Sequence, residues 1–269
     1  MITSMSNPRI KQVIQWQTKA KERRKDRVFI VEGTKMYQEA PEAAVREVYV
    51  SQGYLERLKK SDGAGHENEG LVDKLANTGY EAVADEVFAK MSDTQTPQGI
   101  LAVMEQPEYE LNLLLTMDNP LFIVLENIQD PGNLGTILRT GEGAGITGVI
   151  MSDNTVDIFN PKVIRSTMGS IFRVPFLYEA DLLKVMERFH EAGIETYAAH
   201  LQGKVYYDNC SFREPTAFLI GNEGKGLTEE LARAASSYLK IPMEGMVESL
   251  NAGVAAALLM YEAHRQRFG

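Results

Sequence analysis

From Leu121 onward the chain alternates short apolar runs with longer segments of helical character, and that alternation limits the possible folds more than any other feature. Leu121-Phe-Ile-Val-Leu125 is apolar at every position, the pattern of a strand buried on both faces. The expected order continues with helix Asn133 to Thr140, strand Gly148 to Met151, helix Pro161 to Thr167, strand Val174 to Leu177 and helix Asp181 to Ala192. Strands Glu195 to Ala199 and Thr216 to Ile220, helix Thr228 to Ala235, strand Tyr238 to Ile241 and an alanine-rich C-terminal helix complete it. Such spacing predicts a parallel sheet covered by helices on both faces. Ligands in sheets of this kind sit beyond the carboxyl ends of the strands, so the turns after Leu125, Ile220 and Ile241 are where function is expected.

The first hundred residues read as a separate, smaller α/β unit. Val28-Phe-Ile-Val-Glu-Gly33, Val45 to Val50, Glu81 to Ala84 and Gly99 to Met104 are strand-like; Thr34 to Ala40, Leu55 to Lys60 and Asp85 to Met91 are helical. Ser61 to Gly70 reads as a polar, glycine-rich loop. The expected organisation is residues 1–105 as a basic arm and N-terminal domain, 106–119 as a linker between Pro107 and Pro120, and 120–269 as the second domain.

Net charge is −9, which argues against a protein that coats nucleic acid through bulk charge. The average conceals an asymmetry: Arg9, Lys11, Lys19, Lys21, Arg23, Arg24, Lys25 and Arg27 are opposed in their segment only by Glu22 and Asp26. That segment is either a phosphate-binding arm or a solvated helix face. No run of about eighteen apolar residues occurs, so no membrane span is expected. The N-terminus lacks the layout of a signal peptide, and a lone Cys210 fits a reducing cytoplasm. Scattered histidines (His66, His190, His200, His264) show no metal-ligand spacing, and no metal is expected.

Two glycine motifs are decoys. Gly143-Ala-Gly-Ile-Thr-Gly148 matches G-x-G-x-x-G, but a helix precedes it and a strand follows, the reverse of a dinucleotide site; a helix C-cap and tight turn are expected instead. Gly221-Asn-Glu-Gly-Lys-Gly-Leu-Thr228 evokes a P-loop but has Leu227 where the spacing needs Lys. What remains is one polar turn after each of the three strands. In the first, Asn133 lies at the helix start and Arg139 follows about one and two-thirds turns later among Leu134, Ile137 and Leu138. It is either a surface arginine or one whose planar fork takes a phosphate. The second turn packs glycines around Asn222 and Glu223, so its backbone bends sharply or approaches a ligand closely. In the third, Ser249 and Asn251 open the last helix; both are good N-caps, and converging N–H groups also suit a ligand.

These three ordered turns resemble motifs 1, 2 and 3 of the SpoU/TrmH family of RNA ribose 2'-O-methyltransferases, over about 150 residues from Leu121 to the end. The resemblance implies the SPOUT class: a parallel α/β sheet with a deep trefoil knot, S-adenosylmethionine as cofactor and a homodimer. Residues 28–104, beginning with Phe29-Ile-Val-Glu-Gly33, resemble the family's L30e-like substrate-binding domain. Ile164-Arg-Ser-Thr-Met-Gly-Ser-Ile-Phe-Arg-Val-Pro175 is similar to a segment of the TsnR-like rRNA-modifying members, favouring rRNA over tRNA. Carried over residue by residue, the resemblance makes Arg139, Asn133, Glu223, Ser249 and Asn251 catalytic-site residues and gives cofactor contacts to Gly221, Ile241 and Leu250. Arg9, Lys11, Arg23, Arg24, Lys25 and Arg165 are the candidate RNA-binding residues, and Val254, Leu258, Tyr261 and Arg265 are either a dimer face or core. The alternative is a non-catalytic RNA-binding or ribosome-assembly protein on the same fold.

Overall fold

The structure, a computed structural model, describes residues 1–61, 69–246 and 249–269. Most of the loop expected at 61–70, with His66, lies outside the described residues, as does the middle of the turn before the last helix. The chain divides into two compact units, Met1–Pro107 with Phe159–Phe172 and Glu108–Ile158 with Arg173–Gly269.

In the first unit the basic arm is a pair of helices, α1 (Pro8–Thr18) and α2 (Ala20–Asp26). The Asn7 side chain accepts the Arg9 N–H and Pro8 occupies the first turn, so α1 starts where its missing N–H costs nothing. There follow β1 (Val28–Glu32), α3 (Thr34–Glu39), β2 (Val45–Ser51), α4 (Gln52–Ser61), α5 (Glu69–Thr78), β3 (Glu81–Val83), α6 (Asp85–Met91) and β4 (Ile100–Glu105). The strands form one mixed sheet ordered β1-β4-β2-β3, in which β4 runs antiparallel to β1 and β2 while β2 and β3 are parallel. Alternate strand residues Val28, Ile30, Leu101 and Val103 meet Ile10, Val13 and Trp16 of α1 and Phe88 and Met91 of α6 in one core. On the other face Phe29 packs on Phe159 at 4.9 Å between ring centroids, which ties the Phe159–Phe172 segment to this sheet.

The second unit continues with α7 (Leu111–Leu115), β5 (Leu121–Leu125), α8 (Pro131–Ala144) and β6 (Gly148–Ser152); α9 (Pro161–Thr167) belongs to the first unit. Then come β7 (Phe176–Glu179), α10 (Leu182–Glu191), β8 (Glu195–Ala199), β9 (Val205–Tyr206), β10 (Thr216–Ile220), α11 (Glu229–Ala234), β11 (Ser237–Lys240) and α12 (Ala252–Phe268). All seven strands pair in parallel in the order β7-β6-β5-β10-β8-β11-β9. Every residue of β5, β6 and β10 is buried, as a sheet covered on both faces requires. Phe122 and Val124 face α10, where Phe122 stacks on Phe189 at 5.0 Å. Burying a side chain of that size contributes roughly 1.5–3 kcal/mol.

Differences from the expected elements have local causes. Within residues 106–119, expected as a linker, lies α7, whose Leu111 and Leu114 are buried in the second unit's core. Strand β7 starts two residues late because Pro175 has no N–H to give the ladder, although its carbonyl accepts the Val149 N–H at 2.9 Å. Helix α8 runs past Thr140 through Gly141 and Gly143, where a Cβ would meet the Ile146 Cδ1 at 2.3 Å and the Tyr261 hydroxyl at 2.9 Å. It ends at Gly145 in the left-handed conformation, φ 75°, so the first decoy is a helix C-cap.

Candidate active site

Strand β5 delivers Glu126 and Asn127 into the first turn, β10 delivers Gly221–Leu227, and β11 leads to Ile241 and the turn before α12. Because the strands are parallel and β5 neighbours β10, these turns open at one edge of the sheet. Asp130 caps α8 by accepting the Asn133 N–H at 2.8 Å, with Pro131 at the first helical position. Asn251 caps α12, its Oδ1 accepting the Val254 N–H at 3.2 Å. Ser249 stands before that cap and is exposed.

A line of hydrogen bonds joins the three turns. Asn251 Nδ2 donates to Asn133 Oδ1 at 2.8 Å, and Asn133 Nδ2 donates to Glu223 Oε1 at 3.0 Å. Glu223 also accepts the backbone N–H groups of Gln129, at 3.1 Å, and Asp130, at 2.9 Å. Burial works to raise the Glu223 carboxyl, but hydrogen bonds from Asn133 and from backbone N–H groups outweigh it and hold the group below its ordinary value. The chemistry is that of a brace: one carboxylate gathers donors from a turn 93 residues away in the chain. Asn133, at 7% exposure, is the buried middle of the line.

Beside this line lies a cavity of about 380 Å³, lined by Gly221, Ile241, Ser249 and Leu250 together with Ile220, Leu227, Leu239, His200 and Gln202. Gly221 admits no side chain, since a Cβ there would come within 2.1 Å of the Gly226 backbone. The loop closes on itself through Asn222 N–H to Gly226 O at 3.1 Å and Gly226 N–H to Asn222 O at 2.8 Å. Apolar walls with main-chain groups at strand ends, together with Glu223, Lys225 and Lys240 in the lining and a volume within the roughly 300–1,000 Å³ usual for small-molecule sites, suit a small ligand that has both apolar and charged parts.

Arg139 is exposed on α8, and its side chain makes no hydrogen bond or ion pair with any described residue. Three residues earlier on the same helix, Thr136 lines a second hollow of about 480 Å³. Val254, Leu258 and Tyr261 of α12 form its apolar wall and are exposed, whereas Leu259, Met260 and Ala263 on the other side of that helix are core. Arg265 pairs with Glu262 at 2.7 Å.

The basic candidates are not one surface. Arg23 is 3% exposed and donates to the carbonyls of Trp16, at 2.6 Å, and Gln17, at 3.2 Å, so it closes the end of α1 rather than facing a ligand. Arg9 pairs with Glu81 at 2.9 Å and Glu47 at 3.5 Å, and Arg165 pairs with Asp93 at 2.7 Å. Lys11, Arg24 and Lys25 are exposed, and their side chains pair with no described residue. Among the described residues no three His, Cys, Asp or Glu side chains group as metal ligands, and no helix is long and apolar enough to cross a membrane.

The contact between Glu126 and Thr228 is not expected from the sequence, yet it ties the first two turns together. The available signal was a carboxylate following five apolar strand residues, a buried position that demands partners.

Comparison with known proteins bears on the same residues. Residues 120–261 match the SpoU rRNA Methylase family, and residues 7–102 match the MRM3-like substrate binding domain. The 23S rRNA (guanosine(2553)-2'-O)-methyltransferase RlmP of Bacillus subtilis (strain 168) is 32% identical over 262 residues, covering 97% of this chain and 97% of that protein. An AdoMet-bound rRNA methyltransferase from Sinorhizobium meliloti superposes with a TM-score of 0.83 at 28% identity, covering 100% of this chain and 98% of that one. The SpoU methyltransferase AviRb from Streptomyces viridochromogenes, in complex with AdoMet, gives 0.82 at 26% identity, covering 97% of this chain and 98% of that one.

Proposed function

Since this chain belongs to the SpoU rRNA methylase family, we propose that it transfers a methyl group from S-adenosylmethionine to a ribose 2'-hydroxyl of ribosomal RNA. The observation that carries this reading is the line Asn251–Asn133–Glu223 beside a cavity lined by Gly221, Ile241 and Leu250. When bound, the cofactor supplies an electrophilic sulfonium methyl. Gly221, Ile241 and Leu250 are the residues assigned to hold it, through apolar contact and main-chain groups.

Displacement at a methyl carbon needs the attacking oxygen held in line, so positioning supplies much of the acceleration. That role falls to Arg139, whose fork, exposed and unpaired among the described residues, is open to a phosphate of the target nucleotide and to the adjacent 2'-hydroxyl. A guanidinium keeps its proton at neutral pH, which makes it an anchor rather than a base. The proton of the attacking hydroxyl passes to the substrate phosphate or to water. Glu223 braces the first two turns, and Ser249 and Asn251 shape the helix start beside the ribose.

Other parts of the reading rest on particular features. The rRNA preference is supported by the names of the relatives and by the Ile164–Pro175 segment. A homodimer is supported by the exposed Val254, Leu258 and Tyr261 face, whose hollow is also lined by Thr136 of α8. The trefoil knot is supported by membership of the SpoU family. Cytoplasmic placement is supported by the lone Cys210, which fits a reducing compartment. The non-catalytic alternative is disfavoured because Arg139 and Asn251 are both present.

Mass-spectrometric mapping of ribose methylation in rRNA from cells with and without the gene tests the function. One 2'-O-methyl group is expected to disappear. Unchanged methylation together with no S-adenosylmethionine binding by calorimetry would overturn the reading.

A further inference from the structure

The second turn is fixed at both ends by carboxylates, Glu223 and Glu126. At its near end Glu223 reaches back to the first turn. At its far end Glu126, the residue after β5, reaches forward: Oε2 accepts the Thr228 N–H at 2.7 Å and Oε1 accepts the Thr228 hydroxyl at 2.7 Å. Glu126 is 8% exposed and its own N–H donates to Ile220 O at 2.9 Å, so it sits between the end of β10 and the start of α11. Thr228 completes the link, since its hydroxyl also accepts the Leu231 N–H at 3.3 Å and caps α11. The arrangement is reciprocal. Each turn places a carboxylate on the other's backbone N–H groups, and the four residues between the two clamps, Gly224 to Leu227, all line the cavity.

A glycine loop held at one end only would sample many conformations, because Gly224 and Gly226 carry no side chain to restrict them. Ordering such a loop at the moment of binding lowers affinity, and holding it beforehand removes that cost. We propose that Glu126, acting through Thr228, is a positioning residue that presets the Gly221–Leu227 loop and thereby sets affinity for S-adenosylmethionine. The proposal rests on the assignment of the cavity to the cofactor.

The test is calorimetric titration of S-adenosylmethionine into the full chain and its variants, with steady-state methyl transfer. Thr228→Val keeps the shape and the N–H but removes the hydroxyl; Glu126→Gln keeps the shape but removes the charge and one of the two acceptor oxygens. Each is expected to raise the cofactor Kd about tenfold, with the loss falling on the cofactor KM rather than on kcat. The double variant is expected to be no weaker than the worse single one, because both break one link. Thr228→Ser restores the hydroxyl and is expected to recover most of the affinity. Should Thr228→Val fail to fold, Glu126→Gln and Thr228→Ser carry the comparison. A folded Thr228→Val or Glu126→Gln whose Kd stays within twofold of wild type, even with a lowered Tm, would reduce the link to a structural one and overturn the proposal. Wild-type protein that binds no S-adenosylmethionine would overturn the cofactor assignment instead.

Discussion

The polar residues of the three C-terminal turns and the basic residues of the N-terminal arm were equally visible in the sequence, but the fold uses them in opposite ways. In the turns, Asn133, Glu223 and Asn251 come from places far apart in the chain and meet in one hydrogen-bonded line. In the arm, residues adjacent in sequence separate: Arg23 is buried against carbonyls while Arg24 and Lys25 face solvent. Parallel strands bring their carboxyl ends to one edge whatever lies between them, so a polar turn after a buried strand has a known destination. A charge on a short helix has none until the helix is packed, since neighbours in sequence point about 100° apart.

The largest effect that sharpens this contrast is expected at Arg139. Arg139→Ala should lower methyl transfer on the order of 10²–10³-fold, the usual scale for losing a positioned electrostatic group. Calorimetry should show the S-adenosylmethionine Kd within about threefold of wild type. Equal loss of binding and turnover would make Arg139 part of the cofactor site or of the fold. Next comes Arg23→Ala, which removes a buried donor from Trp16 O and Gln17 O and should cost about 1–3 kcal/mol in chemical denaturation. Its RNA affinity, measured on folded protein, should stay within about twofold of wild type. A large drop in affinity without loss of stability would return Arg23 to the RNA-binding set.

Smaller still are the effects at the exposed cations. Arg24→Ala and Lys25→Ala should each weaken RNA binding a few-fold and reduce the slope of log affinity against log salt by about 0.7, the share of one contact to single-stranded nucleic acid. Arg9→Ala and Arg165→Ala should change the slope less, because each loses an ion pair with Glu81 or Asp93 along with its charge. Filter binding across a salt series distinguishes the two groups. Identical slopes for all four would erase the distinction between paired and unpaired cations.

The parallel sheet and its three functional turns were legible because each apolar run ends in a polar, glycine-bearing break, and burial on both faces leaves few alternatives. Two things were not legible. Helix α7 was hidden because Leu111 and Leu114 fall between prolines in a stretch too short to show a period. The Glu126–Thr228 link was hidden because its partners are 102 residues apart and neither carries a motif. The same distance did not hide Glu223, since the glycines around it announce a strained turn. Sequence spacing thus located the backbone of the site, whereas the pairing of its carboxylates required the register of β5 against β10.

The smallest effect concerns the protonation of Glu223. Its folded carboxyl lies below the ordinary value, so it binds a proton less readily in the native state than in the unfolded chain. The resulting stabilisation is fully present above the unfolded value and is lost as pH falls through the folded one. Glu223→Gln has no such proton to bind, and its stability should fall less than that of wild type as pH drops below about 4.5. The side chain is exposed, so solvent screening keeps the difference small. Urea denaturation of both proteins between neutral pH and about pH 3 measures it, and parallel curves would mean that the bonds from Asn133, Gln129 and Asp130 do not persist in solution. In that case the first two turns would be held by the Glu126–Thr228 link and strand register, and the contrast between converging turns and scattered charges would lose the energetic part that rests on Glu223.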